Sequence, residues 1–247
     1  MAEVRIGVSG WSYPHWRGAF YPDGLRVKDQ LAYCAGRFAT LEINGSFYRL
    51  PSEKAVAAWR DAVPEGFVFA WKASRYITHY RRLKDVDDSL ELVFGRMEGL
   101  GDKAGPALFQ LPPQMKADPD RLADFLARLP ERRRVAIEFR HPSWYDPAVF
   151  DLLKRRGVAF CVSDHRDAPA PWVATAGFVY VRGHGPGGGY SGAYSDAELQ
   201  GWAKRLRAWS QEGRDAWVYF DNDIGAAAPK DAERLKHYWF RRNRLNQ

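Results

Sequence analysis

Six charged residues, Glu42, Lys72, Glu138, Arg140, Arg182 and Asp221, stand at or just past the ends of short apolar runs. Charges carried inward by such runs are costly unless they pair with one another or meet a ligand. Glu138 and Asp221 are candidates for an acid/base pair, because two carboxylates in different surroundings can be pushed to different pKa values. Glu42 joins them as a third catalytic candidate. Lys72, near two arginines, is open to depression toward neutrality and so to work as a base or an imine-forming nucleophile. Its structural alternative is a salt-bridged lysine that holds Glu42 or Glu138 in place. Arg140 and Arg182 offer fork geometry for a phosphate or carboxylate. Trp11, Asn44, Tyr48, His79, Gln110, Trp144, His184, Gly187 and Tyr219 complete a set of candidate substrate-binding residues. The six charges balance formally, so an internal ion-pair network competes with an active site as their explanation.

The runs that carry these residues alternate with helical patterns from end to end. Strands are expected at 5–9, 40–45, 67–73, 107–111, 135–139, 159–163, 178–182 and 216–220, and amphipathic helices near 28–37, 53–62, 87–100, 119–129, 147–156, 196–212 and 228–239. Asp118-Pro119 and Asp146-Pro147 supply a cap and a first-turn proline, and Ser195 with Glu198 a capping box. Only the link between the sixth and seventh strands lacks a clear helix. Eight strands alternating with helices in 247 residues predict one (β/α)₈ barrel spanning 1–247. A doubly wound open sheet is the rival, weakened by the lack of a Gly-x-Gly-x-x-Gly after the first strand. The outer face of a barrel strand must pack on helices, so the bulky apolar parity is assigned outward. That leaves Ser9 and Trp11, Glu42 and Asn44, Lys72, Gln110, Glu138 and Arg140, Tyr180, Arg182 and His184, and Tyr219 and Asp221 facing in. In the sixth strand the choice between Ser163/His165 and Asp164 stays open. The ring of polar groups falls at the strands' C-terminal ends, where barrels of this kind keep their active sites.

Lys and Arg number 37 against 30 Asp and Glu, a net charge of +7. Three clusters, Arg132-Arg133-Arg134, Lys154-Arg155-Arg156 and Arg241-Arg242-Asn243-Arg244, fall at the opposite, N-terminal face, where cations complement helix C-termini. The exception is the loop Ser74–Lys84, which interleaves cations with aromatics at the mouth, as binders of single-stranded nucleic acid do. Trp11, Trp16, Phe47, Tyr48, Trp144, Tyr145 and Trp172 are expected to add rings to the same rim. Nucleic-acid (DNA) binding or processing is therefore the alternative to a small anionic or carbohydrate-like ligand, and a non-catalytic ligand-binding barrel a third reading. Gly185–Gly189 follows the seventh strand, where backbone N–H groups can hold phosphate; plain flexibility is its other reading. A divalent metal at Glu138, Asp164 or His165, His184 and Asp221 is a minority alternative, because two arginines would compete for the same ligands. No metal or other cofactor is expected. Aromatics at 15% exclude disorder, and no apolar run is long enough for a membrane helix. The N-terminal residues lack a signal peptide's pattern, and Cys34 and Cys161 are isolated, so a reduced, cytoplasmic protein is the expectation. The oligomeric state is left open.

The motifs Gly10-Trp11-Ser12-Tyr13, Glu42-Ile43-Asn44-Gly45-Ser46-Phe47-Tyr48, Phe69-Ala70-Trp71-Lys72 with Ile77-Thr78-His79, and Phe109-Gln110-Leu111-Pro112-Pro113 resemble the YecE-like family (domain of unknown function 72). So do Glu138-Phe139-Arg140-His141-Pro142-Ser143-Trp144, Tyr180-Val181-Arg182-Gly183-His184-Gly185 and Tyr219-Phe220-Asp221-Asn222-Asp223. The likeness runs through essentially the whole chain in order. It implies a TIM-like barrel and supplies no reaction. Gly183 departs from the pattern, standing where a bulky apolar residue is expected, and this predicts a looser end to the seventh strand.

Overall fold

The computed structural model describes residues 2–243, with side chains described up to Phe240. Eight strands, β1 (Val4–Ser9), β2 (Thr40–Ile43), β3 (Val68–Lys72), β4 (Ala104–Gln110), β5 (Val135–Glu138), β6 (Ala159–Ser163), β7 (Phe178–Gly183) and β8 (Asp215–Phe220), pair in chain order. All pairings are parallel, and β8 returns to β1 to close the barrel. Helices α1 (Gln30–Ala35), α2 (Glu53–Asp61), α3 (Asp87–Glu98), α4 (Pro119–Arg128), α5 (Pro147–Arg155), α6 (Asp196–Gln211) and α7 (Ala227–Asn243) follow the strands. The fold is a TIM-type (β/α)₈ barrel in which, among the described residues, no helix links β6 to β7.

The capping residues fix where these helices begin. Asp118 Oδ1 accepts from the Arg121 N–H at 3.1 Å and Asp146 Oδ1 from the Ala148 N–H at 2.8 Å. At α6 the capping box closes both ways: the Ser195 N–H donates to Glu198 Oε2 at 2.7 Å, and the Glu198 N–H donates to Ser195 Oγ at 3.3 Å. Each bond satisfies a donor that the first helical turn would otherwise leave free.

Two apolar layers result from the strand alternation. Outward residues such as Val8, Leu41, Phe69, Phe109, Ile137, Val162, Val181 and Val218 pack under the helices. Inside, Ala70, Ala136, Ala159 and Cys161 on β3, β5 and β6 meet Phe178, Tyr180, Trp217 and Tyr219 on β7 and β8. Small side chains on one side of the barrel make room for rings from the other, so the lower barrel is a packed plug. Gly7 is needed in that plug, because a Cβ there would lie 2.0 Å from the Thr40 carbonyl oxygen.

Gly183 does not loosen β7. The strand pairs with β8 through Gly183↔Phe220, and a Cβ on Gly183 would stand 2.9 Å from the Trp202 ring, which stacks on Phe220. The missing side chain admits a tryptophan from α6. Three of the N-terminal-face cations are paired locally, Arg133 with Glu98, Arg134 with Asp215 and Lys154 with Asp151, and Arg156 Nη2 donates to the Leu126 carbonyl. The cluster at 241–244 lies outside the described side chains. Among the described residues no helix is long and apolar enough to cross a membrane.

Candidate functional site

Above the apolar plug lies a polar layer built from the last inward residue of successive strands. Arg182 is its hub and is fully buried. Its Nη2 and Nε donate to the two oxygens of Glu42 at 2.7 and 3.2 Å, a bidentate grip. Nη1 donates to Glu138 Oε2 at 3.0 Å and to His184 Nε2 at 3.1 Å. Nη2 also reaches Asp221 Oδ2 at 2.8 Å and Ser9 Oγ at 3.2 Å. A guanidinium has five N–H donors, and here all are committed.

Glu42 and Glu138 are equally committed. Ser9 Oγ donates to Glu42 Oε1 at 2.5 Å and the Tyr180 hydroxyl to Oε2 at 2.6 Å. Arg140 Nε and Ser163 Oγ donate to Glu138 Oε1 at 2.6 and 3.0 Å. Burial alone would raise both carboxyls. For Glu42, Arg182 and then Lys72 more than offset that, and for Glu138, Arg140 and Arg182 do so, which holds both below the ordinary carboxylate range. All four oxygens of the two carboxylates are hydrogen-bonded, so Glu42 and Glu138 stand as counter-charges in an ion-pair network with Arg140 and Arg182. Arg140 directs three further N–H groups to the Tyr190 hydroxyl at 3.2 Å, Gln110 Oε1 at 3.3 Å and His184 Nε2 at 3.1 Å.

His184 is fixed as the neutral Nδ1–H tautomer. Two guanidinium groups donate to its Nε2, so that nitrogen must carry a lone pair. The proton then sits on Nδ1, which faces Asp164 Oδ1 and Ser163 Oγ, both at 3.3 Å. Burial, then Arg182, keeps the ring well below the usual histidine pKa. Asp164 is raised to about 6, chiefly by burial, and accepts from the Tyr194 hydroxyl and the His184 N–H. Ser163 at the end of β6 and His165 just beyond it are both buried, with His165 against the rings of His184 and Tyr190.

Lys72 and Asp221 differ from the rest of this layer. Lys72 makes no hydrogen bond or ion pair with any described residue, and its Nζ lies 4.4 Å from the centroid of the Phe47 ring. Burial, then Arg182, lowers it to about 8 against the pull of Asp221 and Glu42. Asp221 is bonded through Oδ2 alone, and its carboxyl is raised by burial more than Arg182 lowers it. Ser46 Oγ donates to the carbonyls of Ile43 and Lys72, at 2.9 and 2.6 Å, and so ties the ends of β2 and β3 together beneath the lysine.

The remaining candidates divide between mouth and core. His79 sits at the mouth against Phe47, lowered to about 4 by burial and then by Lys72 and Arg140. Gln110 is buried beside Arg140, and Tyr48 stands 64% exposed on the rim. Asn44 lines a cleft of about 420 Å³ with Trp11, Tyr13, Tyr48 and Trp59, and its Oδ1 is buried without a hydrogen-bond partner. Trp11 does not face the barrel axis: after Gly10, with φ of +75°, the chain turns and its ring packs on Trp59 of α2 and on the outward Phe69 of β3. Trp144 is no rim residue either. It is fully buried, stacked on Phe139 at 4.7 Å, and its indole N–H donates to the Met115 carbonyl. Tyr219 lies in the plug below the site, bonded to Thr40 Oγ1. Trp16 and Tyr145 likewise pack under loops, and Trp172 against Trp202 and Trp209. Gly187 is exposed at the tip of the glycine-rich loop, and the loop itself is docked, with the Gly188 carbonyl accepting from the Arg166 N–H.

The metal alternative meets donors that are already committed. Both Glu138 oxygens and His184 Nε2 face guanidinium N–H groups, and among the described residues no three His, Cys, Asp or Glu side chains gather as ligands. The layer also holds Ser9, Ser163, Tyr180, Tyr190 and Tyr194, which the sequence does not mark as site residues. Strand alternation turns Ser9 and Tyr180 inward and is the signal available for them. Nothing local marks Tyr190 and Tyr194, which arrive from a loop.

Residues 5–246 match the family described as "Protein of unknown function DUF72". The chain is 25% identical over 269 residues to the UPF0759 protein YunF of Bacillus subtilis, covering 94% of this chain and 93% of that protein. It is 28% identical over 174 residues to the UPF0759 protein YecE of Escherichia coli, covering 68% of this chain and 61% of that one. A solved structure of a DUF72 family protein from Thermotoga maritima superposes with a TM-score of 0.85 at 25% identity, covering 99% of this chain and all of that one. One from Enterococcus faecalis gives 0.81 at 20% identity, covering 96% of this chain and 95% of that one.

Proposed function

The chain belongs to the DUF72 family of proteins of unknown function, and we propose that it is an enzyme that carries out acid–base chemistry, without a metal, on a small anionic, sugar-like substrate such as a phosphorylated sugar or a nucleotide. One observation carries this reading. Of the buried charged groups at the barrel mouth, Lys72 and Asp221 alone keep a polar atom uncommitted among the described residues. Burial shifts the lysine down and the carboxyl up, so the gap between their pKa values narrows and a proton passes between them at lower free-energy cost. Neutral Lys72 takes a proton from the substrate, and Asp221, through Oδ1, returns one. Arg182, Glu42, Glu138 and Arg140 hold the two in place by fixed ion pairs, a preorganised frame of the kind that stabilises developing charge.

A cleft at the C-terminal end of β2 supports the substrate class: Trp11, Tyr13, Tyr48 and Trp59 offer ring faces and edges to a sugar or base, and Asn44 Oδ1, without a hydrogen-bond partner among the described residues, calls for a hydroxyl or amino donor. The exposed Gly187 and the Arg166 guanidinium beside Gly189 suit a phosphate. The experiment is a thermal-shift screen of phosphorylated sugars and nucleotides, followed by turnover assays on each binder. Asp221→Asn and Lys72→Met should each abolish turnover while the protein stays folded. Full turnover in both variants would end the reading.

A second reading rests on a separate feature. Tyr48, Tyr76 and Tyr80 are at least half exposed on the rim, and Arg75 lies over the rings of Tyr48 and Tyr80 at 5.3 and 5.6 Å. Such a platform suits stacking of nucleic-acid bases. The cations that follow are partly neutralised, since Arg81 pairs with Asp85.

A further inference from the structure

We infer that Lys72 is a nucleophile that forms an imine with a carbonyl group of the substrate, so that the substrate is an aldehyde or ketone. The inference rests on the acid–base reading above and narrows it. Three observations support it. Lys72 Nζ is without a hydrogen bond or ion pair among the described residues, although it is buried within the field of Glu42, Glu138 and Asp221. A lysine serving only as a counter-charge would be expected to touch one of those carboxylates, as Arg182 touches all three. Its backbone is held and its amine is flanked: the backbone carbonyl of Lys72 accepts from Ser46 Oγ, the Ala73 N–H donates to the Leu108 carbonyl, and the Phe47 ring lies 4.4 Å from Nζ. An amine lowered to about 8 by burial is roughly one-tenth neutral at pH 7, against well under one part in a thousand for an ordinary lysine.

The step balances without any further reactant. The Lys72 ammonium first loses one proton to the Asp221 carboxylate; the freed Nζ lone pair attacks the carbonyl carbon, and one Nζ proton passes to the carbonyl oxygen, giving a carbinolamine. The Asp221 carboxyl then protonates that hydroxyl, the C–O bond breaks, and water leaves as the nitrogen lone pair forms the C=N bond of a protonated imine. Asp221 is left as the carboxylate, beside the cation just formed. Its uncommitted Oδ1 and raised pKa suit that transfer.

The test is reductive trapping. The intact protein is incubated at pH 8 with D-glyceraldehyde 3-phosphate, or with D-glyceraldehyde, and sodium cyanoborohydride, and the adduct is located by peptide mass spectrometry. The expected result is one adduct per chain at Lys72, formed at least about tenfold faster than at any surface lysine, and absent in Lys72→Arg. Faster trapping of the phosphorylated probe would assign the phosphate seat as well. Label spread over surface lysines, or no Lys72 adduct with either probe, overturns the inference. The acid–base reading is separable: if Lys72→Met abolishes turnover of a found substrate while no adduct forms, the imine is lost and the base remains.

Discussion

Arg182 Nη2 donates to Asp221 Oδ2 at 2.8 Å and leaves Oδ1 of the same carboxylate without a partner among the described residues. The hub thus orients Asp221 without using it up, whereas it closes both oxygens of Glu42. On the proposed reading, one oxygen atom and one amine separate the reacting groups from their scaffold.

Removing the hub should be severe. Arg182→Met leaves Glu42, Glu138 and Asp221 buried without the cation they share, and an uncompensated buried charge costs about 3–5 kcal/mol. Urea denaturation at pH 7 should show that loss, or no folded protein at all. A change below about 1 kcal/mol would contradict the hub assignment.

The same frame predicts a pH dependence of stability. Below pH 8 both folded and unfolded chains carry the Lys72 proton. Between about 8 and the usual 10.5 the unfolded chain holds a proton that the folded one has released, so this lysine makes folding more favourable as pH rises across that window. The difference in unfolding free energy between the wild type and Lys72→Met should therefore move in the wild type's favour from pH 7.5 to pH 10. A difference that stays constant would show that burial does not perturb the amine.

Two rings that the sequence places on one rim should part company. Trp144→Ala removes a fully buried, stacked indole and should destabilise by about 3–5 kcal/mol. Tyr48→Ala, on the exposed rim, should change stability by no more than about 0.5 kcal/mol and instead weaken the ligand found by screening. Chemical denaturation of both variants checks the first half and titration of the ligand the second.

This contrast shows what could be read from residue order and what could not. The eight strands, the capped helices and the bare β6–β7 link are visible because alternation, Asp-Pro starts and the Ser195–Glu198 pair are local signals. The inward parity of Glu42, Lys72, Glu138, Arg182 and Asp221 follows from the same alternation. Trp16 and Trp144 are misplaced by sequence reasoning because a large aromatic in a loop reads alike whether it lines a rim or fills a gap beneath it. The division of labour among the carboxylates is invisible, since it depends on how the five N–H groups of one arginine meet three strands distant in sequence. Gly183 can be explained only with Trp202 in view.

If the rim binds single-stranded nucleic acid, affinity should fall with rising salt. Arg75→Ala should then flatten that dependence by about one unit of log–log slope for each phosphate the arginine neutralises. Tyr80→Ala should weaken binding by about 1–3 kcal/mol without changing the slope. Fluorescence anisotropy with a labelled single strand at several salt concentrations reads both. An affinity indifferent to salt would remove this reading.

The central claim is that Lys72 is an uncommitted amine, softened by burial and lying within the field of Asp221. The direct measurement is competitive acetylation with trace acetic anhydride from pH 6 to 11, with Lys72 and the surface lysines followed separately by mass spectrometry. The account predicts that Lys72 titrates at about 8, and lower still in Asp221→Asn, where a neighbouring negative charge is gone. A Lys72 that titrates with the surface lysines near 10.5, unchanged by Asp221→Asn, would contradict it.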